Sequence, residues 1–349
     1  MPEVLRFAIV GTGAIARSYE QAFAGLPGAS LVAACDLDRT AGASFAARVG
    51  CKYYSSYQHM AMESQIDATI VCTPPATHEE ICVFFLERGL PVLCEKPLST
   101  NVPSARRMLA AAERNGVVFT MASKFRYVDD VQTARAIARS GRIGDIVLIE
   151  NAFTSRVDMS ERWNCNASLS GGGVLIDNGT HSVDILRYFL GSLADVQVFE
   201  GRRIQGLQVE DTVRVFVRSC DGVIGSSDLS WSINKELDTF LHVYGSEGTI
   251  LVGWNESRYR VAGDGGWHIF GKGYDKVSAF RAQIVNFCDA VLGRAELRIT
   301  PRDALASVEV VSAAYAALER SRWEAVSSQL EVGSLEVRIA GDSGRVEVS

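Results

Sequence analysis

The sequence predicts a two-domain α/β protein, with a doubly wound parallel sheet followed by an α+β domain that has a large, mainly antiparallel, open-faced sheet. At 349 residues the chain is too long for one ordinary core. Its first part alternates uncharged strands with helices that end at glycine, which is typical of parallel sheets. After this part, strands alternate across hairpin turns, which favours antiparallel pairing. We therefore predict domains at 1–122 and 123–349.

The composition is that of a soluble globular protein, with 47% hydrophobic and 22% charged residues. A net charge of -6 provides no general attraction to nucleic acid or to an anionic membrane. No apolar run reaches the roughly 18 residues that a membrane span needs. Since the first strand begins a few residues after Met1, we expect no signal peptide and a cytoplasmic location.

The spacing of the chemically reactive residues argues against metal and hydrolase chemistry. The 8 cysteines form no Cys-x-x-Cys pair and are not beside clustered histidines, so we predict no zinc site and no redox dithiol. A His-Glu-x-x-His spacing is also absent from the sequence, and we predict no metal. The Gly-x-Ser-x-Gly turn of serine hydrolases is missing as well.

The predicted elements of the first domain bring several polar residues to one edge of its sheet. We predict strands at 5–10, 31–35, 67–72, 91–94 and 117–121, and helices at about 15–24, 77–88 and 102–115. Ligands of such sheets bind at the carboxyl ends of the strands. The residues at these ends, which we expect to line one cleft, are Gly11 to Gly13, Asp36, Thr73, Pro74, Pro75, Glu95, Lys96, Pro97 and Ser123.

The second domain mixes helices with alternating strands. We predict helices at 128–140, 174–190, 278–292 and 302–320, and strands at 146–152, 196–200, 212–218, 223–231, 238–244 and 249–254. Beyond residue 324 the alternation is weak. Segments 330–332 and 337–339 are expected either to add edge strands or to stay partly disordered.

A glycine-rich turn after the first strand predicts a dinucleotide site. Gly11 permits the tight turn, Gly13 lets a pyrophosphate lie against bare backbone, and Ala16 allows close helix packing. The following helix offers free N–H groups and a positive dipole end to the phosphates. The cofactor contacts predicted here are Gly11, Thr12, Gly13, Ala14 and Ile15. The alternative is an α/β turn without a cofactor.

The residue at the end of the second strand bears on which cofactor binds. Asp36 lies roughly 20 residues past the glycines, where a carboxylate accepts hydrogen bonds from the adenosine ribose. A carboxylate there repels a 2′-phosphate, which favours NAD over NADP. Arg39 could contact a 2′-phosphate if Asp36 turned away, so NADP stays open.

Lys96 is the first candidate catalytic residue. It follows Glu95 at a strand end, and Pro97 fixes the backbone so that the lysine is aimed into the cleft. Beside a nicotinamide, its ammonium could stabilise an alkoxide as it develops. The alternative is a solvated lysine at the end of a strand.

The helix after the glycines at 171–173 carries the second candidate cluster. Asp177, His181 and Asp184 are spaced i, i+4 and i+7, so they share one helix face. A carboxylate one turn from an imidazole can raise its basicity, so we predict that His181 takes a hydroxyl proton with help from Asp177. For Asp184 a structural role is equally expected. Arg156 and Trp163 could contact a charged sugar or stack on a ring, or could lie on the surface.

The ordered set of these motifs resembles one family. The set is Gly11-x-Gly13-x-x-Ala16, Asp36, Thr73 to His78, Glu95-Lys96-Pro97 and Gly172-Gly173-x-x-x-Asp177-x-x-x-His181-x-x-Asp184, with later matches at Glu210-Asp211, 244–249 and 280–293. It is similar to the glucose–fructose oxidoreductase, inositol dehydrogenase and rhizopine catabolism (Gfo/Idh/MocA) family. The resemblance reaches about residue 322.

The resemblance implies a Rossmann domain and an NAD(P)-dependent oxidoreductase acting on a secondary hydroxyl of a sugar, nucleotide-sugar or cyclitol. It implies catalysis by Lys96 and His181, with Asp177 holding the substrate or assisting. The cofactor would be lined by Thr73, Pro74, His78, Glu95 and Lys96. It further implies a homodimer or homotetramer that packs through the open sheet.

One position departs from the family pattern. Members often carry Asn two residues before an Arg after the last Rossmann strand, and here Lys124 precedes Arg126. We nevertheless predict Arg126 as a substrate contact. Two other functions remain open: a redox-assisted enzyme with tightly held NAD and no net turnover, and a non-catalytic dinucleotide-binding regulator. Intact Lys96 and His181 argue against the regulator.

Overall fold

The computed structural model describes residues 4–326 and contains two sheets. The first has six parallel strands: β1 (Leu5–Val10), β2 (Ala29–Cys35), β3 (Lys52–Tyr54), β4 (Ala68–Val71), β5 (Val92–Glu95) and β6 (Phe119–Ala122). Their order is β3-β2-β1-β4-β5-β6, so the chain winds outward in both directions from β1 and β4. This confirms the predicted doubly wound sheet.

Five helices connect these strands: α1 (Ala16–Phe23), α2 (Arg39–Val49), α3 (Tyr57–Glu63), α4 (His78–Leu86) and α5 (Val102–Asn115). Helices α2 and α3 and strand β3 were not predicted from the sequence. Helix α2 is rich in alanine and has little amphipathic pattern, while β3 and α3 are too short to show a period. The Asp38 side chain caps α2 by accepting from the backbone N–H groups of Thr40 and Ala41.

The second sheet has nine strands: β7 (Ile146–Thr154), β8 (Leu193–Glu200), β9 (Thr212–Ser219), β10 (Ile224–Ser230), β11 (Thr239–Gly245), β12 (Gly248–Gly253), β13 (Ser257–Val261), β14 (His268–Gly271) and β15 (Glu324–Ala325). Their order is β14-β13-β12-β11-β7-β10-β9-β8-β15. Pairing is antiparallel except between β7 and β10. The mainly antiparallel sheet is thus confirmed, while β13 and β14 were not predicted. The predicted segments at 330–332 and 337–339 lie outside the described residues.

Five helices lie in this later part of the chain: α6 (Asp129–Arg139), α7 (Ala167–Ser170), α8 (Val174–Leu190), α9 (Lys276–Val291) and α10 (Pro301–Arg320). Helix α8 packs on β7, β9 and β10, with its Val183 and Leu186 in the core. No helix between residues 4 and 326 combines the length and apolarity needed to cross a membrane.

Helix α9 returns to the first sheet although it lies late in the chain. The Phe287 and Phe7 rings are 6.0 Å apart, and Phe280 meets Tyr19 edge-on at 4.9 Å. Residues from α9 thus complete a core that β1 and α1 begin. The last helices therefore hold the two sheets in a fixed relation, and the cleft between them depends on this packing.

Replacing Phe287 by Ala should destabilise the protein by about 3–5 kcal/mol, because the change empties a fully buried site. The matched control is Val285→Ala on the same helix, where the side chain is 42% exposed. Chemical denaturation of the whole chain measures both free energies of unfolding. Equal losses in the two variants would contradict the proposed role of α9.

Candidate active site

The turn after β1 has the backbone geometry that a pyrophosphate needs. Gly11 has a φ of +91°, and a Cβ there would lie 2.7 Å from the Cys72 carbonyl carbon, so glycine is required. At Gly13, in contrast, no described atom lies within 4 Å of the position a Cβ would take. This open space adjoins the N-terminus of α1, where backbone N–H groups can receive phosphate oxygens. The turn therefore fits a dinucleotide.

The Asp36 carboxylate is held in place at the end of β2. Its Oδ2 accepts from the backbone N and the Oγ1 of Thr12, each at 2.7 Å, and its Oδ1 accepts from the Asp38 N at 2.9 Å. These bonds orient the carboxylate against the glycine turn, where a ribose would lie. Arg39 lies exposed at the start of α2.

His78 lies beneath the cleft surface. It is fully buried, and its Nε2 is 2.8 Å from the Thr73 carbonyl oxygen, while its Nδ1 is 3.1 Å from that of Pro97. Burial lowers the pKa of His78, and the contacts with carbonyl oxygens oppose that shift. The imidazole therefore ties two cleft-lining loops together from below, and the expectation that it lines the cofactor itself is not supported. Thr73 and Pro74 stay partly exposed above it, while Pro75 is buried.

Glu95 also supports the cleft from behind. Its buried carboxylate accepts from the Tyr19 hydroxyl at 2.8 Å and from the Lys96 backbone N at 3.1 Å. Burial raises the pKa of Glu95, while the Tyr19 hydrogen bond and two nearby lysines oppose the rise. These contacts fix the backbone from which Lys96 extends.

Lys96 and Asp177 form an ion pair across the two domains. The Lys96 Nζ donates to the Asp177 Oδ1 at 2.6 Å and to its carbonyl oxygen at 3.1 Å. The two side chains remain 15% and 23% exposed, so the pair lines an opening. The predicted support of His181 by Asp177 is wrong, because this carboxylate at the start of α8 reaches across to β5 instead.

His181 lies one turn further along α8 and contacts a different lysine. Its Nε2 is 3.1 Å from the Lys124 Nζ, and its ring lies edge-on to Phe125 at 5.1 Å. Burial, together with the positive charges of Lys124 and Lys96, lowers the pKa of His181 well below its ordinary value. The imidazole is therefore neutral near pH 7. Its buried Nδ1 has no hydrogen-bond partner within residues 4–326.

Lys124 is the residue that sequence reasoning noted only as a departure from a pattern. It follows β6 at the same sheet edge as Lys96. Its position just after a predicted strand was therefore sufficient to predict that it lies in the cleft. Burial and the charge of Lys96 lower the pKa of Lys124 to about 7, and Lys276 lowers it further. Glu95 and Asp177 oppose this shift.

Arg126 and Asp184 pair with each other in the core. Their side chains are buried and 2.7 Å apart, and the Ser123 hydroxyl donates to the Asp184 carboxylate at 2.8 Å. A second carboxylate, of Asp303, lies 3.5 Å from Arg126. The expectation that Arg126 or Asp184 contacts a substrate is therefore wrong, and the pair instead joins β6 to α8 and α10.

The other two candidate substrate residues lie on a surface loop. Arg156 is exposed and Trp163 is 44% exposed, both between β7 and α7. Helix α7, which follows this loop, lies against the turn Pro75–Thr77 of the first domain. Throughout residues 4–326, no three His, Cys, Asp or Glu side chains cluster in a way that could hold a metal ion.

A parallel sheet whose first turn leaves bare backbone beside a helix N-terminus, with a carboxylate at the next strand end, is the architecture of NAD-binding oxidoreductases. Sequence comparison agrees. Residues 5–123 match the oxidoreductase family with an NAD-binding Rossmann fold, and residues 131–251 match the GFO/IDH/MocA C-terminal domain. The chain belongs to the GFO/IDH/MocA family of oxidoreductases, as the motifs predicted.

Individual relatives fit this assignment. The chain is 30% identical to trans-1,2-dihydrobenzene-1,2-diol dehydrogenase of Mus musculus over 71% of this chain and 74% of that protein. It is 25% identical to inositol 2-dehydrogenase of Rhizobium meliloti (strain 1021) over 91% of this chain and 98% of that protein. The crystal structure of GenD2 from gentamicin A biosynthesis, in complex with NAD, is similar in fold, with a TM-score of 0.83. Its sequence is 28% identical, and the match covers 94% of this chain and 98% of that chain. The protein is thus an NAD-binding enzyme of the dehydrogenase and reductase class.

Replacing Gly13 by Val should abolish NAD binding while the protein still folds, because the new side chain enters open space that the pyrophosphate needs. Ala43→Val, on the exposed side of α2, adds a similar side chain elsewhere and should bind NAD normally. Isothermal titration calorimetry measures both affinities. An unchanged affinity in a folded Gly13→Val protein would show that the phosphates bind elsewhere.

Proposed function

We propose that this protein transfers a hydride between NAD and a secondary hydroxyl or ketone of a sugar, nucleotide-sugar or cyclitol. The observation that carries this proposal is the Lys96–Asp177 pair, which lies partly exposed at the strand edge that also carries Gly13 and Asp36. NAD, when bound, supplies the nicotinamide that accepts the hydride. NADP remains possible, since Arg39 lies exposed just beyond Asp36.

Lys96 is placed to stabilise negative charge on a substrate oxygen. Two of its possible hydrogen bonds go to Asp177, and the remaining donor is available to a ligand in the opening. A preorganised ammonium in a partly buried site stabilises a developing alkoxide strongly, because little solvent has to reorganise. Asp177 would also accept a hydrogen bond from a neighbouring substrate hydroxyl.

The His181 end of the cleft is where we place proton removal. The ring is neutral, is held by packing on Phe125, and contacts the Lys124 amine. A dehydrogenation releases one proton for each hydride, so a group that can bind a proton must face the hydroxyl. Phe125 and Phe153 pack edge-on against this ring at 5.1 and 6.4 Å, so its orientation is fixed by packing.

The names of the relatives support a polyhydroxylated substrate. They include dehydrogenases of a trans-diol and of inositol, both with secondary hydroxyls. A screen of myo-inositol, trans-1,2-dihydrobenzene-1,2-diol, sugars and UDP-sugars should therefore find a compound that forms NADH, measured by absorbance. If products form without NADH, the redox-assisted alternative holds instead. If none of these compounds reacts, the proposed function is contradicted.

With the compound found, His181→Ala should lower kcat by about 10²–10⁴-fold, because positioned acid–base catalysis contributes that much. NAD affinity should change little, since Gly13 and Asp36 lie at other strand ends. The exposed His59→Ala is the matched control and should keep wild-type kinetics. A fully active His181→Ala enzyme would show that proton removal does not depend on this end of the cleft.

We also propose a dimer or tetramer formed through the open face of the second sheet. Strand pairing places Phe199 opposite Arg214, and Ile224 opposite both Arg218 and Leu148, on the face turned away from α8. Phe199 and Ile224 are largely exposed, which is costly unless a partner covers them. Sedimentation velocity should show an oligomer, and Ile224→Asp should weaken it. A monomeric wild-type protein at micromolar concentration would contradict this proposal.

A further inference from the structure

The cleft contains a second lysine, Lys124, to which the family resemblance assigns no function. Lys124 projects from the segment after β6 and its Nζ lies 3.1 Å from the His181 Nε2. We propose that the Lys124 amine takes the proton of the substrate hydroxyl and that His181 is the positioning residue that orients this amine. This inference rests on the proposed function and names the base of that same site.

The geometry of the contact favours the lysine as the group presented to substrate. The Lys124 amine occupies the Nε2 side of His181, and the opposite ring nitrogen is buried with no partner among the described residues. A substrate hydroxyl approaching this end therefore meets the amine. When the proton of the neutral His181 ring is on Nδ1, the amine donates one N–H to Nε2, and this bond aims its lone pair away from the ring.

The aromatic ring of Phe125 holds both partners. The Lys124 Nζ lies 4.8 Å from the centre of this ring, and His181 lies edge-on to it at 5.1 Å. Phe125 itself is buried and stacks on Tyr274 at 5.2 Å. The lysine stem and the imidazole are thus fixed by one packed side chain, so the amine has little freedom to leave the cleft.

Charges from three other elements surround the amine. Lys96 and Glu95 lie at the end of β5, Asp177 lies on α8, and Lys276 begins α9. Burial and the two cations outweigh the two carboxylates and lower the pKa of Lys124 to about 7. A substantial share of the amine is therefore uncharged near neutral pH. An uncharged amine can accept a proton, which an ammonium cannot.

The two lysines of the cleft then have separate roles. Lys96 is bonded to the Asp177 carboxylate at 2.6 Å and serves as the positive charge beside the substrate oxygen. Lys124 has a neutral imidazole as its partner and serves as the base. In the oxidation, the substrate O–H bond breaks and an N–H bond forms on Lys124. The carbon that carries this oxygen loses its hydrogen, together with the bonding electron pair, as hydride to NAD. The products are a ketone and an ammonium at Lys124.

A labelling experiment tests the base without any substrate. The folded protein is treated with acetic anhydride across a range of pH, and the acetylation of Lys124 is followed by mass spectrometry against the exposed Lys272 as reference. Lys124 should react with a midpoint near pH 7. Lys276→Met removes a positive charge and should move this midpoint to higher pH. A Lys124 midpoint no lower than that of Lys272 would overturn the proposal.

Kinetics with the compound that forms NADH tests the role in the reaction. In the wild-type enzyme, kcat/KM for oxidation should rise with pH through about 7, because the base must lose its proton. Lys124→Met and Lys124→Arg should both lose about 10²–10⁴-fold in kcat, since a guanidinium cannot act as the base. Lys272→Met is the control and should match the wild type.

The positioning role of His181 has its own readout. In His181→Ala the pH dependence of the residual kcat/KM should have a midpoint close to that of the wild type, because the titrating base is still present. If His181 were the base, that midpoint would disappear. A Lys124→Met enzyme that is active with a wild-type pH profile would overturn this inference and leave the proposed function standing. Failure of every compound to form NADH overturns the proposed function and, with it, this step, even where Lys124 labels at neutral pH.

Discussion

The ion pair between Lys96 and Asp177 is the interaction on which the cleft depends. It is formed by a lysine at the end of a parallel strand and a carboxylate in the first turn of a helix that belongs to the other sheet. The two residues are 81 positions apart in the chain. Because Asp177 neutralises one ammonium, a second lysine can lie in the same opening without a carboxylate of its own.

Buried contacts beneath the cleft keep this pair in place. His78 binds the carbonyl oxygens of Thr73 and Pro97, so it joins the loops that follow β4 and β5. Arg126 and Asp184 join the segment after β6 to α8, and removing one partner of such a buried pair typically costs about 3–5 kcal/mol. These groups act by fixing the backbone under the cleft, which explains why they appear in the sequence motifs although they do not face the opening.

The sequence predicted the features that depend on local pattern. The glycine turn, Asp36, Lys96 and the helix 174–190 each follow from short-range spacing, and the structure has them where expected. The partners of Asp177 and His181 could not be predicted, because helical spacing shows which residues share a face and does not show what lies opposite. Likewise, the motif containing His78 predicted a location near the cofactor, while its burial depends on the packing of two distant loops.

The contrast between the two lysines shows how position sets chemistry in this cleft. Both follow strands of the same sheet and both are partly buried, so residue type and strand position do not distinguish them. The difference comes from α8, which presents a carboxylate to Lys96 and, one turn later, an uncharged imidazole to Lys124. In a site of low dielectric the neighbouring carboxylate favours an ammonium, whereas desolvation beside a neutral ring disfavours one. A single helix face can thus place a lysine paired with a carboxylate and a titratable amine in the same cleft.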